Sequence, residues 1–212
     1  MSSSGNRTGP SASKKLDTRS LLLAAALDEL KVNGELGLRI ESVLQAANAS
    51  FSSLYHHFGN REGLILAAQI EMLQAPISRD GAIFADLVRE VNSTDDLIEW
   101  LKKGVAMTHS QATAIERAQQ LAIYSAAEMK PELAAAISVA NQQLTSQLAG
   151  LFSDLRGRGI FESKFSDELI AQFVQTLVLG QVVVERDSTP TDKAVWHEAV
   201  LVSLLSLLGI QI

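Results

Sequence analysis

A chain of 212 residues with no cysteine has no disulfide framework, no thiolate nucleophile and no cysteine zinc site, yet it can bury the core of one or two helical domains. Its net charge of -6 argues against a nucleic-acid partner when taken whole. Residues 1–66, however, hold seven basic side chains (Arg7, Lys14, Lys15, Arg19, Lys31, Arg39 and Arg61) against six acidic ones, while residues 67–212 hold eleven against eighteen, so any affinity for phosphate belongs to the N-terminal third.

The opening MSSSGNRTGP lacks the apolar centre of a signal peptide. The uncharged C-terminal stretch, Ala199 to Ile212, is too short to cross a bilayer. These features predict a cytoplasmic protein without membrane attachment. Residues 1–15, rich in Ser, Gly and Asn, read as a disordered arm. From Asp17 or Thr18 as N-cap, apolar Leu22, Ala26, Leu27 and Leu30 recur at helical spacing, and Asn33-Gly34 offers a left-handed exit. A second helix is expected from about Arg39 to Ala47, with Ile40, Val43, Leu44 and Ala47 on one face and Asn48 as its stop. Ser50 is a good N-cap for a third over Phe51 to Phe58, and Gly59-Asn60 separates that from a fourth beginning at Arg61. Two short helices about three residues apart make a helix-turn-helix, here assigned to a domain over 16–62.

The remainder, 63–212, reads as a helical bundle. Helices are expected at roughly 61–75, 79–92, 95–109, 112–128, 131–156, 166–186 and 191–208. Breaks are expected at Pro76, Asn92-Ser93, Lys130-Pro131, Gly157-Arg158-Gly159 and Thr189-Pro190. No run of period two competes. The expected class is therefore all-α, a three-helix N-terminal unit followed by a bundle, with about nine to ten helices in all.

The stretch SSLYHHFGNREGL, Ser52 to Leu64, concentrates the chemistry. His56 and His57 are adjacent and stand about 100° apart on a helix, whereas metal ligation from a helix needs spacings of three or four. There is no GxSxG, no GxxxxGK[ST] and no HExxH, and the RGRG at 156–159 follows a helix where a dinucleotide fingerprint needs a strand. No enzyme activity, metal or cofactor is expected.

The first helix, TRSLLLAAALDELKVNG, and the stretch VLQAANASFSSLYHHFGNREGL from Val43 to Leu64 resemble the DNA-binding domain of the TetR family of transcriptional regulators. The family's patterns are similar to TRxxILxAAxxLFxxxG and IAxxAGVSxGTLYxHFxxKExL. Leu22, Ala26, Leu30, Gly34 and the LYxHF core fall at matching positions. Leu44 stands for a small alanine, Asn48 for the turn glycine and Arg61 for lysine; Asn48 is physically acceptable because asparagine tolerates the left-handed region. The resemblance covers about 47 residues; beyond them it rests on length and helical pattern alone.

A recognition helix lays its N-terminal residues against base edges, so Phe51, Ser52 and Ser53 are the candidate readers. The resemblance implies that Tyr55 and His57, flanked by His56, touch phosphate and sugar, although His57 can equally be a packing residue. Arg61, at the start of the fourth helix, is a candidate phosphate clamp. Arg39, and with it Lys14, Lys15 and Arg19, could contact the backbone or be plain surface charge. Leu54 and Phe58 face the core.

One half-site offers too few contacts to stand out in a genome, and a homodimer doubles them. The last two helices are apolar around more than one face, which nominates Phe173, Leu177, Gly180, Val184, Leu201, Leu204 and Leu205 as a dimer interface; a thick core is the plain alternative. Phe84, Trp100, Met107, Tyr124 and Phe152 could converge on a cavity between helices, with core packing again the alternative. With few charges nearby, an effector there is expected to be small and largely apolar, with Tyr124 or His109 offering a hydrogen bond. The expected whole is a ligand-responsive dimeric repressor of a double-stranded DNA operator. The rival reading is a ligand-binding or interaction module that keeps the helix-turn-helix only as scaffold.

Overall fold

The computed structural model describes residues 17–189 and 192–211, apart from the side chains of Ser78, Asp80, Ala82, Gln111 and Ala112; the expected arm over 1–15, with Lys14 and Lys15, lies outside them. The elements in chain order are α1 (Thr18–Gly37), α2 (Ile40–Ala47), α3 (Phe51–Phe58), α4 (Arg61–Arg89), α5 (Thr94–Thr108), α6 (Gln111–Ala127), α7 (Pro131–Gly157), α8 (Asp167–Glu185) and α9 (Lys193–Leu207). Among the described residues there is no strand. The chain divides into two compact units, the first ending at Ala68 and the second beginning at Gln69.

Local chemistry sets the ends of these helices. Asp17, Ser50, Ser93, Ser110 and Ser166 each accept a hydrogen bond from a backbone N–H three residues on, satisfying donors that the first helical turn leaves unpaired. Gly34 interrupts α1 at φ 65°, so the regular helix stops at Asn33 and a short turn carries on to Gly37. Asn48 ends α2 in the left-handed region, at φ 48° and ψ 47°. The expected break at Pro76 is absent: α4 runs unbroken for 29 residues with the proline inside it. A proline costs a helix one hydrogen bond, here to the carbonyl of Met72, and burial of Leu73 and Val88 on either side of it supports the flanking turns.

In the first unit, Leu22, Ala26, Leu30, Val43, Leu44, Ala47, Leu54, Leu64 and Ile65 form the buried interior. Every expected core position of α1 and α2 except half-buried Leu27 and Ile40 lies in it. In the second unit the core gathers Leu97, Leu101 and Val105 of α5, Phe152 and Leu155 of α7, Ile170 of α8 and Val200, Leu204, Leu205 and Leu208 of α9. Arg156 ties the α7–α8 connection. It donates to Asp167 at 2.9 Å and to the carbonyls of Ser163 and Phe165, each at 2.9 Å, and lies over the Phe161 ring.

Gly209 closes α9 at φ 76°, and a Cβ added there would stand 2.2 Å from the carbonyl oxygen of Glu162. Backbone conformation and space both demand glycine at this position. Gly209→Ala should therefore lower the unfolding free energy by about 2 to 3 kcal/mol, read by denaturant titration. An unchanged midpoint would show that the α9 terminus is not held against residue 162.

The sequence expectation of no bilayer-length segment needs one correction. Asp167–Glu185, 19 residues with mean hydropathy 1.3, is long and apolar enough to cross a membrane by length and composition alone. Asp167, Glu168 and Glu185 bracket its 16 uncharged residues, Leu169 to Val184.

Candidate nucleic-acid interface

The helix-turn-helix presents α3 as a short platform with one buried anchor. Leu54 is 2% exposed, while Phe51 is 51% and Tyr55 61% exposed. Ser52, His56 and His57 share the outward side. A half-exposed phenylalanine and tyrosine forgo about half of the roughly 1.5 to 3 kcal/mol that full burial of a large apolar side chain gives, so this face is better suited to an apolar or planar partner than to water alone. Thymine methyls and sugar rings are such partners.

Ser53 is half-buried and engaged locally: its N–H donates to Ser50 Oγ at 3.2 Å and its hydroxyl lies 3.1 Å from the same oxygen. That capping leaves Ser52 as the freer hydroxyl. His57 is exposed, with its ring 4.9 Å from His56 and 6.4 Å from Phe58, both edge-on, so the packing alternative for it falls away. Among the described residues no group of three ligand-type side chains could hold a metal ion.

Two cations near α3 are tied up in ways that spacing does not reveal. Arg19 lies 5.3 Å over the ring of Phe58, joining the start of α1 to the end of α3. Asp17 is held below the usual carboxylate range because it accepts from the backbone N–H and hydroxyl of Ser20, with His57 and Arg19 adding attraction. Arg61, expected as a phosphate clamp, is partly engaged within its own unit. Its Nη2 donates to the carbonyls of Glu35 at 3.0 Å and Leu38 at 3.2 Å, so one arm of the guanidinium braces the α1–α2 connection where a free phosphate clamp was expected. Carbonyls left over beyond the Gly34 kink require donors, and Arg61 is the cation in reach. Arg39 stays exposed; its backbone N–H reaches Glu29 Oε1 at 3.4 Å.

The nominated residues of the second unit divide. Leu204 and Leu205 are buried in the protomer's own core, at 6% and 1% exposure, so neither can face a partner. Leu177 and Leu201 are half-buried against that core, and Val184 is half-buried. Phe173 and Gly180 are exposed, and a Cβ at Gly180 meets open space, so nothing within the protomer demands a glycine there. Of the five pocket candidates, Phe84 meets Trp100, Trp100 packs against the core that holds Phe152, and Met107 and Tyr124 are engaged elsewhere. Phe84 stands edge-on to Trp100 at 6.0 Å, Phe152 is a core residue against Phe161, Met107 is 40% exposed, and the Tyr124 hydroxyl donates to Asn141 Oδ1 at 2.5 Å.

What spacing misses is a buried polar cluster. Arg117, 3% exposed, pairs with Glu185 and donates to the carbonyls of Thr108 and Ser110 and to Thr113 Oγ1. Beside it His109, 5% exposed, sits 5.6 Å from the ring of His197. Its Nδ1 lies 2.8 Å from the carbonyl of Val105 and, since a carbonyl only accepts, carries the proton. Burial, then the charges of Arg117 and His197, hold its pKa below 6.5, against the opposing pull of the Val105 bond and Glu185. A histidine whose folded pKa is depressed binds fewer protons than the unfolded chain does. Its contribution is thus full above about pH 6.5 and is lost as pH falls towards the folded value. Thermal melts should show a midpoint falling from pH 7 to pH 5, with a smaller fall in His109→Gln; identical slopes would contradict the assignment.

A sequence profile of the family described as bacterial regulatory proteins, tetR family, matches residues 22–68. The HTH-type transcriptional regulator UidR of Escherichia coli strain K12 is 22% identical over 163 residues, covering 77% of this chain and 79% of that protein. A solved TetR-family regulator from Mesorhizobium loti superposes with a TM-score of 0.70 at 17% identity, covering 91% of this chain and 95% of that one. Salmonella enterica GusR does so with a TM-score of 0.64 at 23% identity, covering 93% and 98%. The likeness to the solved structures is one of fold.

Proposed function

Because the chain belongs to the TetR family and is a DNA-binding transcriptional regulator, we propose that it acts as a ligand-responsive homodimeric repressor whose α3 reads a pseudo-palindromic operator. The observation that carries the reading is the outward face of α3, where Phe51, Ser52 and Tyr55 stand exposed on a helix pinned by Leu54. Phe51 and Ser52 take the base edges; Tyr55, His56, His57 and Arg39 take the backbone. Arg61 acts through the α1–α2 brace.

A dimer is supported by the outer faces of the last two helices. On α8 the exposed positions Leu169, Phe173, Thr176, Gly180 and Val183 recur at alternating steps of four and three. On α9, Val195, Ala199, Val202 and Ser206 do the same. Such a stripe is the seam of helices crossing at a shallow angle, and the small residues in it allow close approach. A surface hollow lined by Val202, Ser206, Gly209 and Ile210 continues the α9 stripe. The apolar character of α8 on more than one side is then accounted for without a membrane: one side meets the protomer core and another the partner.

Selection of bound sequences from random duplex DNA tests the proposal. An inverted repeat should emerge, with half-sites about one helical turn apart or somewhat more, and affinity should fall linearly in log salt. A pool with no enriched repeat would refute it.

A further inference from the structure

We propose that the cluster around His109 and Gln181 binds a neutral molecule that donates hydrogen bonds, through hydroxyl or amide N–H groups, from a largely apolar body. Its role as effector rests on the ligand-responsive reading above. Two side chains at least nine-tenths buried carry polar atoms without a hydrogen-bond partner among the described residues: His109 Nε2 and Gln181 Oε1. Gln181 lies one helical turn before Glu185 on α8, and so on the side of the helix that meets Arg117. His109, at the end of α5, feels the charges of both Arg117 and Glu185. Because Nδ1 gives its proton to Val105, Nε2 presents a lone pair. Both orphaned atoms are therefore acceptors. Buried polar atoms are rarely left unmatched, and the matching chemistry is a donor.

The charge of that donor follows from the same residues. The guanidinium of Arg117 has five N–H groups, and all five are spent: Nε and one Nη2 hydrogen on Glu185, the other on Ser110, and both of Nη1 on Thr108 and Thr113. An anion finds no donor there. A cation meets Arg117 beside it and a Glu185 carboxylate already neutralised. A neutral donor meets neither penalty, and the core to which Val105, the partner of His109, belongs suits an apolar remainder.

The full chain labelled with ¹⁵N-histidine tests this by long-range imidazole spectra, with phenol as the hydroxyl probe, toluene as its equal-sized counterpart without a donor, and benzoate as the anion. Phenol should shift the His109 Nε2 resonance upfield, and toluene and benzoate should leave it in place. Catechol, whose second hydroxyl supplies the donor that phenol lacks, should bind more tightly than phenol, and Gln181→Leu should weaken catechol about tenfold, the loss of one hydrogen bond, while the midpoint of ligand-free unfolding stays level or rises because an unmatched amide oxygen has gone. A resonance indifferent to phenol, or one moved equally by toluene, overturns the proposal, as does unchanged catechol affinity in Gln181→Leu. Operator affinity measured in the same samples separates the two readings. Phenol bound at His109 with operator affinity unaltered would sink the ligand-responsive reading and leave the site standing.

Discussion

Val183→Glu combined with Val202→Glu should yield a helical monomer whose operator affinity has dropped by about a thousandfold or more, into the non-specific range of roughly 10⁻⁴ to 10⁻⁶ M. Val183 is 73% and Val202 46% exposed in the protomer, so neither substitution removes a core contact. In the proposed dimer both valines lie in the seam, and a two-fold axis makes each substitution appear twice. Four carboxylates would then have to be buried without partners, at several kcal/mol apiece. Sedimentation velocity at micromolar concentration checks the assembly, and circular dichroism melts check that the protomer survives. A wild-type monomer, or a double variant that remains dimeric, would remove α8 and α9 as the interface. Leu204→Glu would be a poor substitute, because Leu204 belongs to the protomer core and its loss unfolds the unit whatever the assembly.

Phe51→Ala should redistribute preference among operator variants, costing about 1 to 3 kcal/mol, or roughly five- to 150-fold, at sites carrying thymine under α3 and much less elsewhere. The ring is left 51% exposed by its own unit, and thymine methyls can cover the rest in the groove. Arg39→Ala should behave differently. Its exposed charge has no base to read, so binding weakens alike across sequences and the salt slope falls by about one phosphate. Binding titrations on a panel of single-base operator variants at several salt concentrations distinguish the two outcomes. A uniform loss for Phe51→Ala would show that the ring touches backbone and reads no base.

The helices and their ends were legible in the sequence because caps act within three or four residues. Asn48 and Ser50 are read from the chain and found where they are expected, each matched to backbone donors or acceptors in the same turn. The outward face of α3 was legible too, since Leu54 and Phe58 stand four apart and leave Phe51, Tyr55 and His57 on other sides. Pro76 misled because its penalty is local while the burial that offsets it, at Leu73 and Val88, comes from packing.

By itself, then, the sequence determined an all-helical chain, a helix-turn-helix near its start and the side chains α3 offers, since each depends on neighbours within a turn or two. Tertiary structure decided which arginine is free and which is occupied. Arg61 meets carbonyls 26 and 23 positions away, and Arg117 meets a carboxylate 68 away, distances over which spacing carries no signal. It also decided which side of an apolar helix is inside. In α8 and α9 both sides are rich in Val, Leu and Ala, so periodicity cannot rank them; only the packing of Leu204 and Leu205 into the core leaves Val183 and Val202 facing out.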